Sequence, residues 1–317
     1  MVSNIPQIFP TAVFQAGFGK EANYGSGYLT GTNIGVLGVA MSLNTFNLEN
    51  QYDVLYNLGS RVGQTAYVKG LKVSLDADFV LATDQKEWLS LVLNKEGSTT
   101  TYWTVPSYTG TLPSGFCMIE DQLLHYYSVS GLMADSVEMK FEEGKTVDVT
   151  LSMTGKTVSY LSTTAPSGLV SSTLFNYPSD FTTWAAVQVS YNGNYGSTTF
   201  SVQPIKSFNF SIKNNMQPYY GLGNIDYIAF VPQKLDVSGK IEILHDSNML
   251  EHFMRTVESQ SSTAGYDITI TIGNDEYTNP YTITLEGIFW DKGGLKLTPV
   301  DPVVDELDFK ALNVKIS

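Results

Sequence analysis

Apolar and polar residues alternate along several segments of the chain with the two-residue period of a β-strand. The clearest segment places apolar side chains on one face and charged or hydroxyl side chains on the other; its apolar residues are Leu71, Val73, Leu75, Ala77 and Phe79. A strand with this pattern buries one face and exposes the other. Because strands follow strands without helical crossovers, the pattern predicts antiparallel sheets instead of parallel βαβ units.

Two short segments carry a helical signal instead. Residues 84–87 have the spacing of a capping box, and Leu89 and Leu93 then fall four residues apart on one helical face. Residues 248–251 repeat this cap and also lead into an apolar pair at a spacing of four. The sequence therefore predicts one short helix in each half of the chain, packed against a rolled-up sheet.

The two halves repeat the same elements in the same order. Residues 43–48 are echoed by residues 205–210 at a shift of 162 positions (208 − 46). The turn at Leu58 recurs at Leu222, and the helix cap recurs as well, both at a shift of 164. The alternating strand is matched at a shift of 168, and the closing strands at shifts of 156, 158 and 160. Every shift is even, so matched side chains keep the same face of their strand.

These matches, together with the linker-like residues 162–168, predict an internal duplication. The first domain would cover residues 1–161, including a Gly-rich N-terminal arm, and the second would cover residues 162–317. We expect a mainly β protein of two tandem β-sandwich or β-barrel domains, each with one short flanking α-helix.

Composition limits the function classes. The 317 residues include 31 acidic and 18 basic side chains, giving a net charge of −13, and only 15% of residues are charged. Nucleic-acid binding relies on clustered Lys and Arg, so this balance argues against it. No segment approaches the ~20 apolar residues of a membrane span, and the N-terminus has no secretory pattern. We expect no membrane association and synthesis in a cytoplasm.

Residues suited to catalysis or metal binding are few. His125, His245 and His252 are scattered, and the two that could approach each other lack a third zinc ligand. The acidic patch at residues 301–308 matches no Ca²⁺-loop pattern. Cys117, the single cysteine, lies between apolar residues and is expected to be buried. We therefore expect a protein that is not an enzyme and that has no cofactor and no metal site.

The organisation resembles the tail tube proteins of long-tailed phages and related archaeal viruses. The resemblance rests on residues 237–243 followed by the helix from Asn248, and on the terminal strands at residues 127–132 and 137–156. It implies a structural virion protein that self-assembles into rings. A duplicated chain resembles the subset that builds trimeric rings with pseudo-sixfold symmetry. Such rings stack into the tail tube, a conduit for genome DNA during ejection.

The resemblance also implies the partners. These are further copies of the chain and other tail proteins, such as a terminator, tip or tape-measure protein, while viral DNA passes without specific binding. Acidic side chains facing the bore would repel DNA, and the candidates on the polar faces of the long strands are Asp76, Asp78 and Glu242. Two other hypotheses stay open: another β-rich virion or injection-system assembly protein, and a carbohydrate-binding β protein with an exposed aromatic platform.

Overall fold

Antiparallel β-strands make up most of the described chain, as the alternating pattern predicts. The computed structural model describes residues 14–21, 24–26, 36–56, 62–82, 88–92, 103–104, 112–121, 126–160, 180–195, 198–200, 205–222, 227–244, 267–273, 280–296 and 303–316. The strands of its N-terminal part are β1 (Phe14–Lys20), β2 (Val39–Tyr56), β3 (Gly63–Val80), β4 (Trp103–Thr104), β5 (Gly115–Asp121), β6 (Tyr126–Glu142), β7 (Asp148–Gly155) and β8 (Thr157–Tyr160).

The described C-terminal part also consists mainly of strands. Its strands are β9 (Val187–Tyr195), β10 (Thr198–Phe200), β11 (Ile205–Lys213), β12 (Gln217–Tyr220), β13 (Tyr227–Val231), β14 (Asp236–Leu244), β15 (Asp267–Ile272), β16 (Tyr281–Glu286), β17 (Phe289–Lys296), β18 (Val304–Ala311) and β19 (Asn313–Ile316). A short 3-10 turn, Trp184–Ala186, precedes β9.

The predicted flanking helices are not seen in the described residues. The only α-helix of the described chain is α1 (Leu89–Val92), which amounts to one turn. The capping segment at residues 84–87 and the second predicted helix at residues 248–257 lie outside the described residues. The confirmed part of the fold prediction is therefore a mainly β protein with several antiparallel sheets.

One long sheet runs through both parts of the chain. Its main path has the strand order β17-β18-β14-β11-β6-β7-β3-β2, and β1, β5 and β8 attach to it through β6. A six-stranded sheet has the order β10-β9-β15-β16-β19-β4, and β12 pairs with β13 alone. All the paired strands are antiparallel, and the two larger sheets contribute to one apolar core.

Strand β6 changes its pairing partners at a bend around Gly131. The φ of Gly131 is +66°, a left-handed value that favours glycine. Before the bend β6 pairs with β5 and β8, and after it with β7 and β11. A Cβ added at Gly131 would lie 2.6 Å from the Cβ of Lys156, so the neighbouring chain also leaves no room for a side chain.

The same bend occurs in the C-terminal part. Gly287, between β16 and β17, has a φ of +65°. The backbone N–H of Lys156 donates to the carbonyl of Ser130 at 2.9 Å, and the N–H of Leu312 donates to the carbonyl of Glu286 at the same distance. The two donors are 156 positions apart (312 − 156), and so are the two acceptors (286 − 130) and the two glycines (287 − 131).

Candidate assembly edges

The two four-strand parts of the long sheet join where β11 pairs with β6. Phe208 lies opposite Phe141, and Ile212 lies opposite Val137. The ring of Phe210 stacks on the ring of Phe141, with a centroid distance of 6.2 Å and an angle of 13°. Phe208, Phe210 and Ile212 are all at most 2% exposed. A row of buried apolar side chains therefore closes this edge-to-edge joint.

The main path of the sheet ends at two edge strands, β2 and β17. In the described chain β2 pairs with β3 alone, and β17 pairs with β18 alone. From one end, the N-terminal part has the order β2-β3-β7-β6 and the C-terminal part has the order β11-β14-β18-β17. Strand β2 thus holds the position that β11 holds in the other part, and β17 holds the position of β6.

The β2 edge exposes apolar side chains on the core face of the sheet. Phe46 lies opposite Leu75, and Leu48 lies opposite Val73, and both partners on β3 are fully buried. Phe46 is nevertheless 39% exposed and Leu48 is 48% exposed. An unpaired strand edge with apolar side chains is a ready template for another strand. The corresponding side chains of β11 are buried because β6 covers them.

The far half of the β2–β3 hairpin carries a second exposed apolar surface. Its strands pair with each other, and its large apolar residues are open to solvent: Tyr52, Val54, Leu55, Tyr56 and Val62. The exposed fraction is 63% at Tyr52, 61% at Tyr56 and 76% at Val62. Exposed apolar residues in this number are typical of a surface that contacts another protein.

The three predicted acidic residues share the polar face of the long sheet. Asp76 and Asp78 lie on β3, opposite Ser152 and Thr150 of β7. Glu242 lies on β14, on the face that also carries Lys240 and Glu306. Because this face runs without interruption from β3 to β18, the structure brings the three carboxylates onto one surface, although not into one cluster.

Lysine side chains offset part of the negative charge on this face. The Nζ of Lys240 lies 3.1 Å from Glu306 and 3.4 Å from Glu242, and Lys296 lies 3.4 and 3.7 Å from the same two carboxylates. The hydrogen bond from Lys240 lowers the pKa of Glu306 against the opposing effect of burial. Asp78 accepts a hydrogen bond from the neutral amide of Asn44 instead. Glu242 is therefore paired with lysine side chains, whereas Asp78 is bonded to a neutral amide.

The described residues offer little catalytic chemistry. No group of three or more His, Cys, Asp or Glu among them could hold a metal ion. Cys117 is fully buried as predicted, and burial raises the pKa of its thiol, which keeps it protonated and unreactive. His125, His245 and His252 lie outside the described residues. None of the described helices is long and apolar enough to cross a bilayer.

The tryptophan side chains that the structure describes do not form a shared platform. Trp88 is buried, with its ring edge-on to Phe79 at 5.3 Å. Trp290 packs edge-on to Phe309 at 6.1 Å. Trp184 is 46% exposed in the 3-10 turn. These positions give no specific support to the carbohydrate-binding hypothesis.

Comparison with known proteins identifies the family. A family model described as phage tail tube protein matches residues 14–311. The chain belongs to the phage tail tube protein family. The resemblance drawn from the sequence is thereby confirmed, and it assigns the chain a structural role in a viral tail.

Two further comparisons add little to the assignment as a tail tube protein. No curated protein matches the chain. Among solved structures, it is similar to a chain in the cryo-EM structure of the anti-feeding prophage (AFP) baseplate, 6-fold symmetrised, with a TM-score of 0.34 and 15% identity over 41% of this chain and 91% of that chain. A likeness this weak carries no argument.

Sequence patterns missed the two edges of this tail tube protein. The sequence pattern shows Phe46 only as a match to Phe208, because apolar and polar residues alternate in the same way along an edge strand and a central strand. Strand order decides which of them lacks a neighbour, and strand order depends on pairings between distant residues. A shift of 164 aligns Val73 with Val237, as the ladders do.

Proposed function

We propose that this tail tube protein forms trimeric rings with pseudo-sixfold symmetry, which stack into the tube of a viral tail and conduct genome DNA during ejection. The observation that carries the proposal is the strand order of the long sheet. The order β2-β3-β7-β6 is repeated head to tail as β11-β14-β18-β17, and the path ends in one edge of each kind. Head-to-tail repetition of one joint generates a ring when the rotation between copies closes.

An internal duplication, with domains over residues 1–161 and 162–317, is part of this proposal. The strand ladders support it with a shift of 164 for the opening strands, from Thr45 to Leu48 on β2, and a shift of 156 for the closing strands. Val73 pairs with Gly155, and Val237 pairs with Ala311, at these shifts (237 − 73 and 311 − 155). The earlier shifts of 162 and 168 differ from 164 by even numbers, so they keep the face of each side chain but not its partner.

Ring closure would repeat between chains the joint that β11 and β6 make within one chain. Ser211 lies opposite Glu138 in that joint. Moved by the two shifts, this pair becomes Asn47 of one chain opposite Gly294 of the next. The adjacent pairs become Leu48 opposite Gly293 and Glu49 opposite Lys292.

The number of strands supports a ring of three chains. Three chains with eight strands each on the main path give a barrel of about 24 strands, with a circumference of about 115 Å and a diameter of about 37 Å before strand tilt widens it. Two chains would give a barrel diameter of about 24 Å. Because side chains fill about 5 Å at each wall, three chains leave room for a DNA duplex and two do not.

The polar face of the sheet would line the bore, because the opposite face is buried in the core. Asp76, Asp78 and Glu242 would then face passing DNA and repel its phosphates. The paired Glu242 would contribute less than Asp78. The proposed partners are further copies of the chain, within and between rings, and other tail proteins at the ends of the tube, which places the protein in the virion tail.

A disulfide in the predicted register tests ring closure. In the double variant Asn47→Cys/Gly294→Cys, opposite residues of an antiparallel pair lie about 4.5–5.5 Å apart, within the span of a disulfide. Gly294 has open space for a side chain, and the native Cys117 is buried. Oxidation of the assembled protein is expected to give a covalent trimer, with no longer ladder, on a non-reducing gel.

The control pair Leu48→Cys/Gly294→Cys points its thiols to opposite faces of the sheet and is expected to remain uncrosslinked. Equal crosslinking of both pairs would contradict the register. An open ladder of many chains, or a limit other than three, would contradict the trimeric ring.

A further inference from the structure

The β12–β13 hairpin is anchored to the N-terminal part of the chain by Asn214. This side chain, 3% exposed, follows the last residue of β11. Its Nδ2 donates to the carbonyls of Ala134 at 3.0 Å and Val92 at 3.2 Å. Its backbone N–H donates to the carbonyl of Asp135 at 2.7 Å. Asn214 therefore fastens the end of β11 to the neighbouring strand β6.

Asp135 completes this anchor. Its carboxylate Oδ1 accepts a hydrogen bond from the backbone N–H of Met216 at 2.8 Å. Between the two contacts Asn215 adopts a φ of +49°, so the chain turns sharply there. Beyond the turn, β12 and β13 leave the long sheet and pair with each other.

The turned hairpin buries its apolar residues against the N-terminal part. Tyr227 and Phe230 of β13 are at most 4% exposed and share a small core cluster with Leu112 and Met133. The hydroxyl of Tyr220 also donates to Oε1 of Gln51 at 2.6 Å. The hairpin of the C-terminal part is thus held on the surface of the N-terminal part.

The β2–β3 hairpin has the same residue as the anchor, and there it is exposed, although its neighbour Gln51 binds Tyr220 of the same chain. Asn50 precedes Asn214 by 164 positions (214 − 50) and is exposed. The β2–β3 ladder shifts register between Gln51 and Tyr52, at the place where the second hairpin turns. Bulges of this kind bend a strand, so the first hairpin has a bend point where the second has its turn.

The residues of β6 that contact the β12–β13 hairpin have equivalents on β17. Asp291 follows Asp135 by 156 positions (291 − 135), and Phe289 follows Met133 by the same number. Phe289 is 41% exposed, whereas Met133 is 3% exposed beneath the second hairpin. The carboxylate of Asp291 is exposed and lies 3.4 Å from the Nζ of Lys310. Strand β17 therefore presents to a neighbouring chain the kind of surface that β6 presents to the β12–β13 hairpin within one chain.

We propose that the far half of the β2–β3 hairpin folds onto β17 of the neighbouring chain in the same ring. Asn50 would donate to the backbone carbonyls of Trp290 and Asp291 of that neighbour, and its Asp291 carboxylate would accept from the N–H of Tyr52. The exposed apolar residues of the hairpin would then cover Phe289. This inference rests on the proposed ring, and it assigns the hairpin to contacts within a ring instead of contacts between stacked rings.

Matched asparagine variants test the anchor. Asn50→Ala is expected to leave the melting temperature of the single chain unchanged within about 2 °C, because Asn50 is exposed there. It is expected to raise the concentration for half-maximal ring assembly about tenfold, through the loss of hydrogen bonds at each joint. Asn214→Ala, in contrast, is expected to lower the melting temperature of the single chain by about 5 °C, because Asn214 is buried and bonded there.

Asp291→Ala is expected to weaken assembly as Asn50→Ala does, whereas Lys310→Met, which removes the same ion pair but keeps the carboxylate, is expected to assemble normally. Equal effects of Asp291→Ala and Lys310→Met would overturn the anchor, since the ion pair alone would then explain them. Rings of Asn50→Ala that form at the wild-type concentration would overturn it as well.

Photo-crosslinking locates the hairpin. With p-benzoylphenylalanine in place of Tyr52, the expected product joins this position to the peptide that contains Phe289, in a species of at most three chains. Products that join chains of different rings, or that reach another segment, would overturn the inference. If wild-type chains form no rings at all, the proposed function itself is overturned. The Asn47→Cys/Gly294→Cys pair would then give no crosslinked trimer either, which distinguishes this outcome from failure of the hairpin contact alone.

Discussion

Replacing Leu48 with lysine is expected to abolish ring formation while leaving the single chain folded. Leu48 is 48% exposed on the core face of β2, so a lysine there reaches water in the free chain. In the proposed joint the same position is covered by the neighbouring β17, and an unpaired ammonium group would be buried. We expect the concentration for half-maximal assembly to rise at least about 100-fold, which sedimentation velocity measures directly.

Leu312→Lys is the control for this prediction. Leu312 is 70% exposed and belongs to neither edge strand, so the same change of residue type is expected to leave assembly unaffected. Rings of Leu48→Lys at wild-type concentrations would show that β2 is not part of the joint.

Phe210→Ala is expected to lower the free energy of unfolding of the single chain by about 3–5 kcal/mol. Phe210 is 2% exposed and stacks on Phe141 in the joint between β11 and β6, so its removal leaves a cavity there. Urea denaturation of the unassembled chain, followed by tryptophan fluorescence, measures the change.

Phe46→Ala is the matched variant of Phe210→Ala, because the two residues are 164 positions apart on corresponding strands (210 − 46). With Phe46 39% exposed, the single chain is expected to lose at most about 1 kcal/mol, and the ring is expected to lose the larger part. A loss of similar size in both single chains would contradict the view that one strand is an internal joint and the other an open edge.

Local pattern predicted the strands well because a half-buried strand has a fixed two-residue period. The core residues of β3, from Val73 to Phe79, are buried in alternation as predicted, and Cys117 is buried as well. The match of residues 128–132 with residues 284–288, at a shift of 156, aligns Gly131 with Gly287, and both glycines have a positive φ. These features depend on neighbouring residues along the chain, which the sequence displays directly.

Features that depend on distant pairings were harder to predict. The alternation is unchanged by a shift of two or four residues, so a match at 168 fits the pattern of β3 and β14 as well as one at 164. Asn50 looks like an ordinary solvated residue of a strand until Asn214 is seen to bind the backbone of β6. Asp76, Asp78 and Glu242 lie on the polar face of the long sheet, but the pairing of Glu242 with Lys240 and Lys296 depends on strands far apart in sequence.

The most direct test of the account is a symmetry-resolved electron cryo-microscopy map of the assembled protein. We expect rings of three chains, six similar domains around a continuous inner barrel, and β2 of each chain paired with β17 of the next. Rings with six whole chains, or an inner wall in which β2 and β17 remain unpaired, would contradict it.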